Sequence, residues 1–174
     1  MRIFLYLASI VIANVITARF APLELGVLSI PWGTYLVGCT FILRDLVQRR
    51  YGKLKTYYTI SAALILSAIT SALLGDSLAI VFASALSFLI SEAADTEVFS
   101  RLKKSFATKV LVSGLIGGTL DSVIFGVVGL GPWGAGFLTW ELVPTAILGQ
   151  FIVKALLQAL GAVILIMFFK KHFK

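Results

Sequence analysis

The stretch ISAALILSAITSALL, residues 60–74, decides the fold class, because it holds no charged residue and places apolar side chains all around a helix. Residues 162–169, AVILIMFF, have the same character. A strand of a membrane barrel would alternate apolar and polar residues over about ten positions, and neither stretch does so. A membrane-spanning helix needs about 20 mostly apolar residues. Both stretches therefore predict membrane-spanning helices.

The composition of the whole chain agrees with a membrane location. Of its 174 residues, 59% are hydrophobic and 13% are charged, and the mean hydropathy is +1.01. Soluble domains are about 45–50% apolar and about 25% charged. The composition excludes a soluble enzyme and a disordered chain, and the single cysteine excludes an internal disulfide framework. What remains is an integral membrane protein.

The apolar segments predict an all-α polytopic membrane protein, with residues 1–174 forming a single domain, a bundle of six transmembrane helices. The first segment resembles a signal peptide, but no small-residue cleavage site follows it, so we count it as a span. The predicted spans are residues 3–20, 31–48, 56–74, 78–98, 108–130 and 142–168.

Positive charges are unevenly distributed between the two sides of this predicted bundle. One side carries Arg2, Arg49, Arg50, Lys53, Lys55, Arg101, Lys103, Lys104, Lys109, Lys170, Lys171 and Lys174. The other side carries Arg19 and the acids Glu24, Asp76 and Glu141. Because cytoplasmic loops are enriched in Lys and Arg, both termini are expected to be cytoplasmic. The net charge of +7 then reflects loops facing anionic lipid, and no nucleic-acid partner is expected.

Ionisable side chains inside the spans are the main functional signal, since each costs about 2.5–3.5 kcal/mol near the centre of a spanning helix. Glu92 and Asp95 lie three residues apart on one face of the fourth span, with Thr96 beside them. Two such carboxylates repel unless a cation, a proton or a donor-rich ligand separates them. The alternative is pairing with basic residues at the cytoplasmic end, above all for Glu97.

Asp121 and Ser122 lie well inside the fifth span, which reads LVSGLIGGTLDSVIFGVVG over residues 111–129. Its glycines are expected to allow close helix packing. A lone buried carboxylate is costly, so Asp121 must have a partner, either from the protein or from a substrate.

Three polar residues follow one face of the sixth span: Gln150, Lys154 and Gln158, at positions i, i+4 and i+8. Lys154 lies too deep to reach the membrane surface easily. It is expected to neutralise an acid on a facing helix.

Two further features complete the predicted polar interior. Arg44 and Asp45 are adjacent on the second span, so they point about 100° apart and cannot both face lipid comfortably. They are expected to form a structural or coupling charge pair, and pairing with carboxylates of the fourth or fifth span is the alternative. Asn14, on the first span, is a buried amide that needs partners. A polar interior of this size predicts a solute site or a proton path.

Trp133 lies near the outer end of a predicted span, as do the other two tryptophans. One interpretation is an interfacial aromatic belt. The other is that Trp133 caps an outward-facing substrate pocket.

Motifs for catalysis are missing from the sequence. It contains no GxxxxGK[ST], HExxH, GxSxG or paired CxxC pattern, and its single histidine, His172, is in the tail. We therefore expect no metal, no cofactor and no enzymatic activity, and favour transport.

Four stretches together resemble the vitamin-uptake-transporter (VUT) family, the queuosine precursor transporters of bacteria and archaea. They are ASIVIANVITARF (8–20), PWGTYLVGCTFILRDLVQRRYG (31–52), SEAADTEVFSRLKK (91–104) and GGTLDSVIFGVVG (117–129). The resemblance covers nearly the whole chain. The FxLRDLVxxxxG and SExxDTxVxxxL patterns are fairly specific, because they place charged and small residues in membrane segments at fixed spacing.

The resemblance implies a multi-pass protein of a bacterial or archaeal plasma membrane that imports a 7-deazaguanine, such as 7-cyano-7-deazaguanine. It also implies kinship with the six-helix substrate-binding subunits of energy-coupling-factor (ECF) transporters. Matched to the family blocks, the implied functional residues are Asn14, Arg44, Asp45, Glu92, Asp95, Thr96, Asp121 and Ser122.

The residues are chemically suited to such a base. A carboxylate accepts hydrogen bonds from the ring N–H and exocyclic NH₂ of a guanine-like edge as a charge-assisted pair. Amide, hydroxyl or lysine groups suit its carbonyl and nitrile, and aromatic stacking is worth about 1–3 kcal/mol per base. We expect Glu92, Asp95 or Asp121 to contact the donor edge.

Two alternatives stay open at this point. The first is an ECF-type binding subunit for another vitamin or nucleobase, which needs a separate ATPase module. The second is a structural protein whose buried charges only hold helices together, with closed salt bridges and no cavity. A homo-oligomer, energising partner subunits and proton symport through a Glu92–Asp95 pair are also open.

Overall fold

The computed structural model describes residues 1–20, 22–26 and 28–172, with the side chains of Ser29 and of residues 168–172 left out. Six long helices account for most of the described chain. They are α1 (Arg2–Arg19), α2 (Gly33–Tyr51), α3 (Lys53–Leu73), α4 (Leu78–Arg101), α5 (Phe106–Ile124) and α6 (Val143–His172). A π-helical segment, Phe125–Leu130, continues α5. The charges predicted for Lys170, Lys171 and Lys174 fall on side chains outside the described residues.

Five of these helices are long and apolar enough to cross a membrane: Arg2–Arg19, Lys53–Leu73, Leu78–Arg101, Phe106–Leu130 and Val143–Met167. The helix outside this set is α2, which carries buried Arg44, Asp45 and Gln48. It packs against α1, α3, α4, α5 and α6. Because its neighbours cover it, α2 needs little apolar surface of its own. The described chain is thus mainly helical and rich in apolar helices, as a polytopic membrane protein requires.

Neighbouring helices run in alternating directions. Lys154 of α6 contacts Asp121 of α5, and Gln158, one turn later in α6, lies beside Gly114, two turns earlier in α5. That pattern is antiparallel. The same geometry relates α4 to α5, through Ser87 with Asp121 and Asp95 with Gly117. By contrast, α2 and α4 run parallel, through Arg44 with Glu92 and Gln48 with Ser100.

This alternation gives the bundle two distinct ends. The terminal end holds Arg2 and the connections at Gly52 and residues 102–105. The loop end holds residues 22–26 and 28–32, the turn at residues 74–77 and the segment 131–142. Most of the basic residues of the connections therefore lie at the terminal end.

A short β-hairpin at the loop end was not expected from the sequence, which predicted only a connection there. Strand β1 (Leu23–Leu25) pairs antiparallel with β2 (Leu28–Ile30), with Leu23 opposite Ile30 and Leu25 opposite Leu28. The hairpin rests on α6, where Ile30 and Leu28 lie against Gly149. Strands of three residues are too short to give a clear alternation in the sequence.

Two adjacent glycines of α5 provide a test of this packing. A Cβ on Gly117 would lie 2.9 Å from Asp95 Cβ and 3.1 Å from the Ser91 carbonyl oxygen, whereas one on Gly118 would lie 3.4 Å from Lys154 Cβ. We expect Gly117→Ala to destabilise the protein by about 1–3 kcal/mol. Gly118→Ala, which gains the same helix-forming tendency, should change stability little.

Thermal unfolding of both variants in detergent measures the difference. Equal melting temperatures for the two variants would contradict the close approach of α4 and α5 at Gly117.

Candidate functional site

A polar cavity lies between the helices in the half of the bundle near the loop end. It offers about 110 Å³ of space to the centres of water-sized molecules, several times the roughly 10–15 Å³ that one water needs. All six helices contribute to its wall. The polar side chains in the wall are Asn14, Thr17, Thr34, Thr40, Ser67, Ser71, Asp76, Ser84, Ser87, Asp121, Gln150 and Lys154.

The strongest interaction in the wall joins α5 to α6. Lys154 Nζ lies 2.6 Å from Asp121 Oδ2 and donates to Ser122 Oγ at 2.9 Å. Ser122 in turn donates to the Gly118 carbonyl oxygen at 2.8 Å. The expected pairing of Lys154 with an acid on a facing helix is therefore confirmed. The side chain of Asp121 keeps 15% of its surface exposed, against 2% for Lys154.

Asp121 is held from a second side by α4. Ser87 Oγ donates to Asp121 Oδ1 and, at 3.0 Å, to the Asp121 carbonyl oxygen. Each carboxylate oxygen has two lone pairs, so both oxygens of Asp121 can accept another hydrogen bond. This carboxylate is thus fixed in position, partly exposed to the cavity and still able to bind a donor.

Two amides complete the cavity wall. Asn14 Nδ2 donates to Ser67 Oγ at 2.9 Å, which ties α1 to α3. Gln150 Oε1 lies 3.5 Å from Lys154 Nζ, while Gln150 Nε2 is buried and has no hydrogen-bond partner within the described part of the chain. An unpaired buried amide N–H is costly. Gln150 Nε2 therefore offers a donor to a ligand.

Asp76 is a cavity residue that the sequence analysis did not select. It lies in the turn between α3 and α4, and its Oδ2 accepts a hydrogen bond from Ser71. The sequence assigned it only to a short outer turn. The sequence did contain a signal for a polar cavity at this end. Serines recur about one turn apart on two apolar helices, Ser67 with Ser71 and Ser84 with Ser87.

A second polar group, which we call the Arg44 cluster, lies in the half of the bundle near the terminal end. It comprises Arg44, Asp45, Glu92 and Asp95. Arg44 Nη2 lies 3.0 Å from Asp45 Oδ1 and also pairs with Asp95, and Arg44 Nε lies 3.2 Å from Glu92 Oε2. All four side chains are at most 1% exposed. None of them lines the cavity.

Side chains of α2 and α4 extend the Arg44 cluster toward the terminal end. Arg44 Nη1 donates to Gln48 Oε1 at 3.0 Å and to Thr96 Oγ1 at 2.8 Å. Gln48 Nε2 donates to Ser100 Oγ at 2.9 Å. Glu97, by contrast, lies outside the cluster and pairs with Lys53 at 2.6 Å and with Arg101 at 3.3 Å.

The structure thus divides the predicted site residues into two groups. Asn14, Asp121, Gln150 and Lys154 line the cavity, and Ser122 contacts Lys154 directly behind it. Arg44, Asp45, Glu92, Asp95 and Thr96 are instead joined to one another in the closed cluster. The reason is depth: the residues of α4 that line the cavity are Ile80, Ser84, Ser87 and Phe88, and Glu92 lies one turn beyond Phe88.

Trp133 does not approach the cavity. Its side chain is 78% exposed at the loop end and packs edge to face on Trp140, with ring centroids 5.0 Å apart. The aromatic rings that line the cavity are those of Phe88 and Phe125. The expectation that Trp133 caps the pocket is not met by this placement.

The cavity is chemically equipped to bind a polar solute. It presents a carboxylate acceptor at Asp121, cationic and amide donors at Lys154 and Gln150, and aromatic surface at Phe88 and Phe125. Among the described residues, no group of three His, Cys, Asp or Glu side chains is arranged to hold a metal ion.

The comparison with protein families gives an independent assignment. The family described as "Putative vitamin uptake transporter" matches residues 70–169, more than half of the chain. The matched region contains Asp121, Gln150 and Lys154 of the cavity. Neither a curated protein nor a solved structure matches the chain. The family match, together with helices able to span a membrane, shows that the chain belongs to the vitamin uptake transporter family.

Proposed function

We propose that this protein imports a 7-deazaguanine, such as 7-cyano-7-deazaguanine, as a precursor of queuosine. The observation that carries the proposal is the cavity around Asp121, which combines a partly exposed carboxylate with a buried, unpaired amide donor at Gln150. Family membership supports transport of a small molecule. The choice of a deazaguanine rests on the resemblance of the sequence blocks.

We further propose that all six helices cross the plasma membrane of a bacterium or archaeon, with both termini in the cytoplasm. Five helices have the length and composition to do so, and α2 is enclosed by the others. Basic residues concentrated in the connections at Gly52 and residues 102–105 support this orientation. The cavity then lies in the outer half of the membrane, where it meets solute arriving from outside.

In the proposed complex, Asp121 accepts hydrogen bonds from the ring N–H and the exocyclic NH₂ of the base. The two bonds are charge-assisted, which makes them stronger than neutral ones. Ser87 and Lys154 hold the carboxylate in place, so little reorganisation is needed when the base binds.

The remaining polar groups match the acceptors of the base. Gln150 Nε2 donates to the ring carbonyl, which gives this buried amide the partner it lacks. The flat ring packs against Phe88 or Phe125, which line the same cavity. Asn14 and the wall hydroxyls remain for the substituent at position 7.

Uptake in cells tests the proposed function directly. Bacteria unable to make queuosine precursors are given the gene and supplied with 7-cyano-7-deazaguanine, and queuosine in tRNA is measured. The wild-type protein and Glu97→Gln, whose carboxylate lies far from the cavity and pairs with Lys53 and Arg101, should both restore queuosine. Asp121→Asn at equal membrane abundance should not.

Two results would argue against this function. Restoration only when a separate ATPase module is expressed would favour the ECF-type binding subunit. No restoration with any 7-deazaguanine, from a protein present in the membrane, would exclude queuosine precursor import.

A further inference from the structure

The Arg44 cluster has more acceptors than its cation can serve. A guanidinium has five N–H groups, whereas the side chains that contact Arg44 carry eight acceptor oxygens: two each on Asp45, Glu92 and Asp95, and one each on Gln48 and Thr96. Each carboxylate has an ion-pair contact with Arg44, but Arg44 Nε and Nη2, which make these contacts, form no regular hydrogen bond among the described residues.

The carboxylate oxygens of the cluster are buried without a regular hydrogen-bond donor. Both oxygens of Asp45, of Glu92 and of Asp95 lack a hydrogen-bond partner in the part of the chain that the structure describes. A buried acceptor without a donor is destabilising. A hydrogen atom on one or more of these carboxyl groups would supply the missing donors.

The charge count leads to the same conclusion. Three ionised carboxylates around one guanidinium carry a net charge of −2, and the side chains are at most 1% exposed. A buried charge is tolerated only when it is paired. No group of described His, Cys, Asp and Glu residues can hold a metal ion that would balance this excess. Two protons would balance it.

Two hydroxyl groups point to the same place from outside the acidic set. Tyr6 of α1 is fully buried, with its hydroxyl next to Glu92. Ser113 of α5 is also fully buried, with its hydroxyl next to Asp95. Neither hydroxyl forms a hydrogen bond of regular geometry among the described residues, although each lies within reach of its carboxylate. Both can donate to or accept from a carboxyl group whose protonation changes.

We propose that the Arg44 cluster is a proton-binding site that holds two protons when full, shared among Asp45, Glu92 and Asp95. The site is separate from the solute cavity, and it does not depend on which solute is carried. In the filled state the cluster is neutral, and each added proton gives a carboxyl group a hydrogen-bond donor of its own.

The groups that surround the site come from each neighbouring helix. Tyr6 lies on α1, Arg44 and Asp45 on α2, and Glu92 and Asp95 on α4. From α5, Asp121 acts on Glu92 at longer range, and its own charge is balanced by Lys154 of α6. From α3, Tyr57 lies within electrostatic range of Arg44, and its hydroxyl donates a hydrogen bond to Glu97.

Helix α4 connects this site to the cavity. Ser87, which holds Asp121, precedes Glu92 by five residues, and Ser91 lies between them on the same helix. Proton binding would therefore change the charge about one to two helical turns from the cavity wall. That distance is short enough for the protonation state of the cluster to influence the cavity.

Infrared spectroscopy of the detergent-purified full chain tests the proposal. A protonated carboxyl group has a carbonyl-stretch band that an ionised one lacks, and the band shifts in deuterated water. The wild-type protein should show this band at neutral pH. In Asp45→Asn, Glu92→Gln or Asp95→Asn, two carboxylates remain beside Arg44, so one proton suffices and the band should fall by about half.

Glu97→Gln is the matched control, because Glu97 pairs with Lys53 and Arg101 and should contribute nothing to the band. A folded wild-type protein without the band at neutral pH would overturn the proposal, even if the cluster variants do not fold. A band that keeps its full strength in all three cluster variants but disappears in Asp121→Asn would overturn it as well.

Discussion

Asp121→Asn is expected to weaken binding of a 7-deazaguanine about 10- to 100-fold. Hydrogen bonds to a charged group contribute about 1.5–3 kcal/mol, and about 1.4 kcal/mol corresponds to a tenfold change in affinity. The asparagine keeps the size of the side chain but presents only one oxygen acceptor to the two donors of the base. Equilibrium binding to the purified protein measures the change.

The variant must be separated from a general loss of structure. Removal of the Asp121 charge leaves Lys154 with Ser122 and Gln150 as contacts, so some loss of stability is expected too. Thermal unfolding of Asp121→Asn without ligand, compared with that of the wild-type protein, shows whether the variant is folded at the temperature of the binding measurement. Unchanged affinity in folded Asp121→Asn, together with reduced affinity in Asp76→Asn, would assign the donor edge of the base to the other cavity carboxylate.

Arg44→Met is expected to cause the largest loss of stability among single substitutions in the interior. Removal of one partner from a buried ion pair costs about 3–5 kcal/mol, and Arg44 serves three carboxylates at once. Protonation of all three acids would offset part of this cost. The measurement is the melting temperature in detergent, compared with that of Arg101→Met.

Arg101 is a suitable control because it is 81% exposed and, among the described residues, forms a single ion pair, with Glu97 at 3.3 Å. Exposed ion pairs contribute about 0–1 kcal/mol to stability, so the melting temperature of Arg101→Met should be close to that of the wild-type protein. If the Arg44 and Arg101 variants unfolded at the same temperature, the Arg44 cluster would not be an organising centre of the bundle.

The helices were largely predictable because the hydrocarbon thickness of a membrane fixes their length and apolar character. The predicted span at 78–98 falls within α4, and the one at 142–168 begins one residue before α6 and otherwise falls within it. The prediction from the sequence was weakest for the second span, which corresponds to α2. Its charged residues lower its hydropathy, and only the arrangement of the other helices explains why α2 tolerates them.

The site was predicted in part, because helical spacing shows which residues share a face but not which helix they meet. Lys154 was expected to meet an acid, and the structure identifies it as Asp121. Glu92 and Asp95 were expected at the substrate, yet they face Arg44 one to two turns deeper, which confirms the alternative that Arg44 pairs with acids of the fourth span. Their depth depends on where the helices cross, which a single sequence does not specify.

Binding of 7-cyano-7-deazaguanine to the detergent-purified chain tests the central claim most directly, with thermal unfolding as the readout and guanine and riboflavin as controls. A ligand that binds only the folded state raises the melting temperature in proportion to its occupancy. We predict a selective rise with the deazaguanine that Asp121→Asn strongly reduces at the same ligand concentration. A well-folded sample whose melting temperature does not respond to any 7-deazaguanine would contradict the assignment of the cavity.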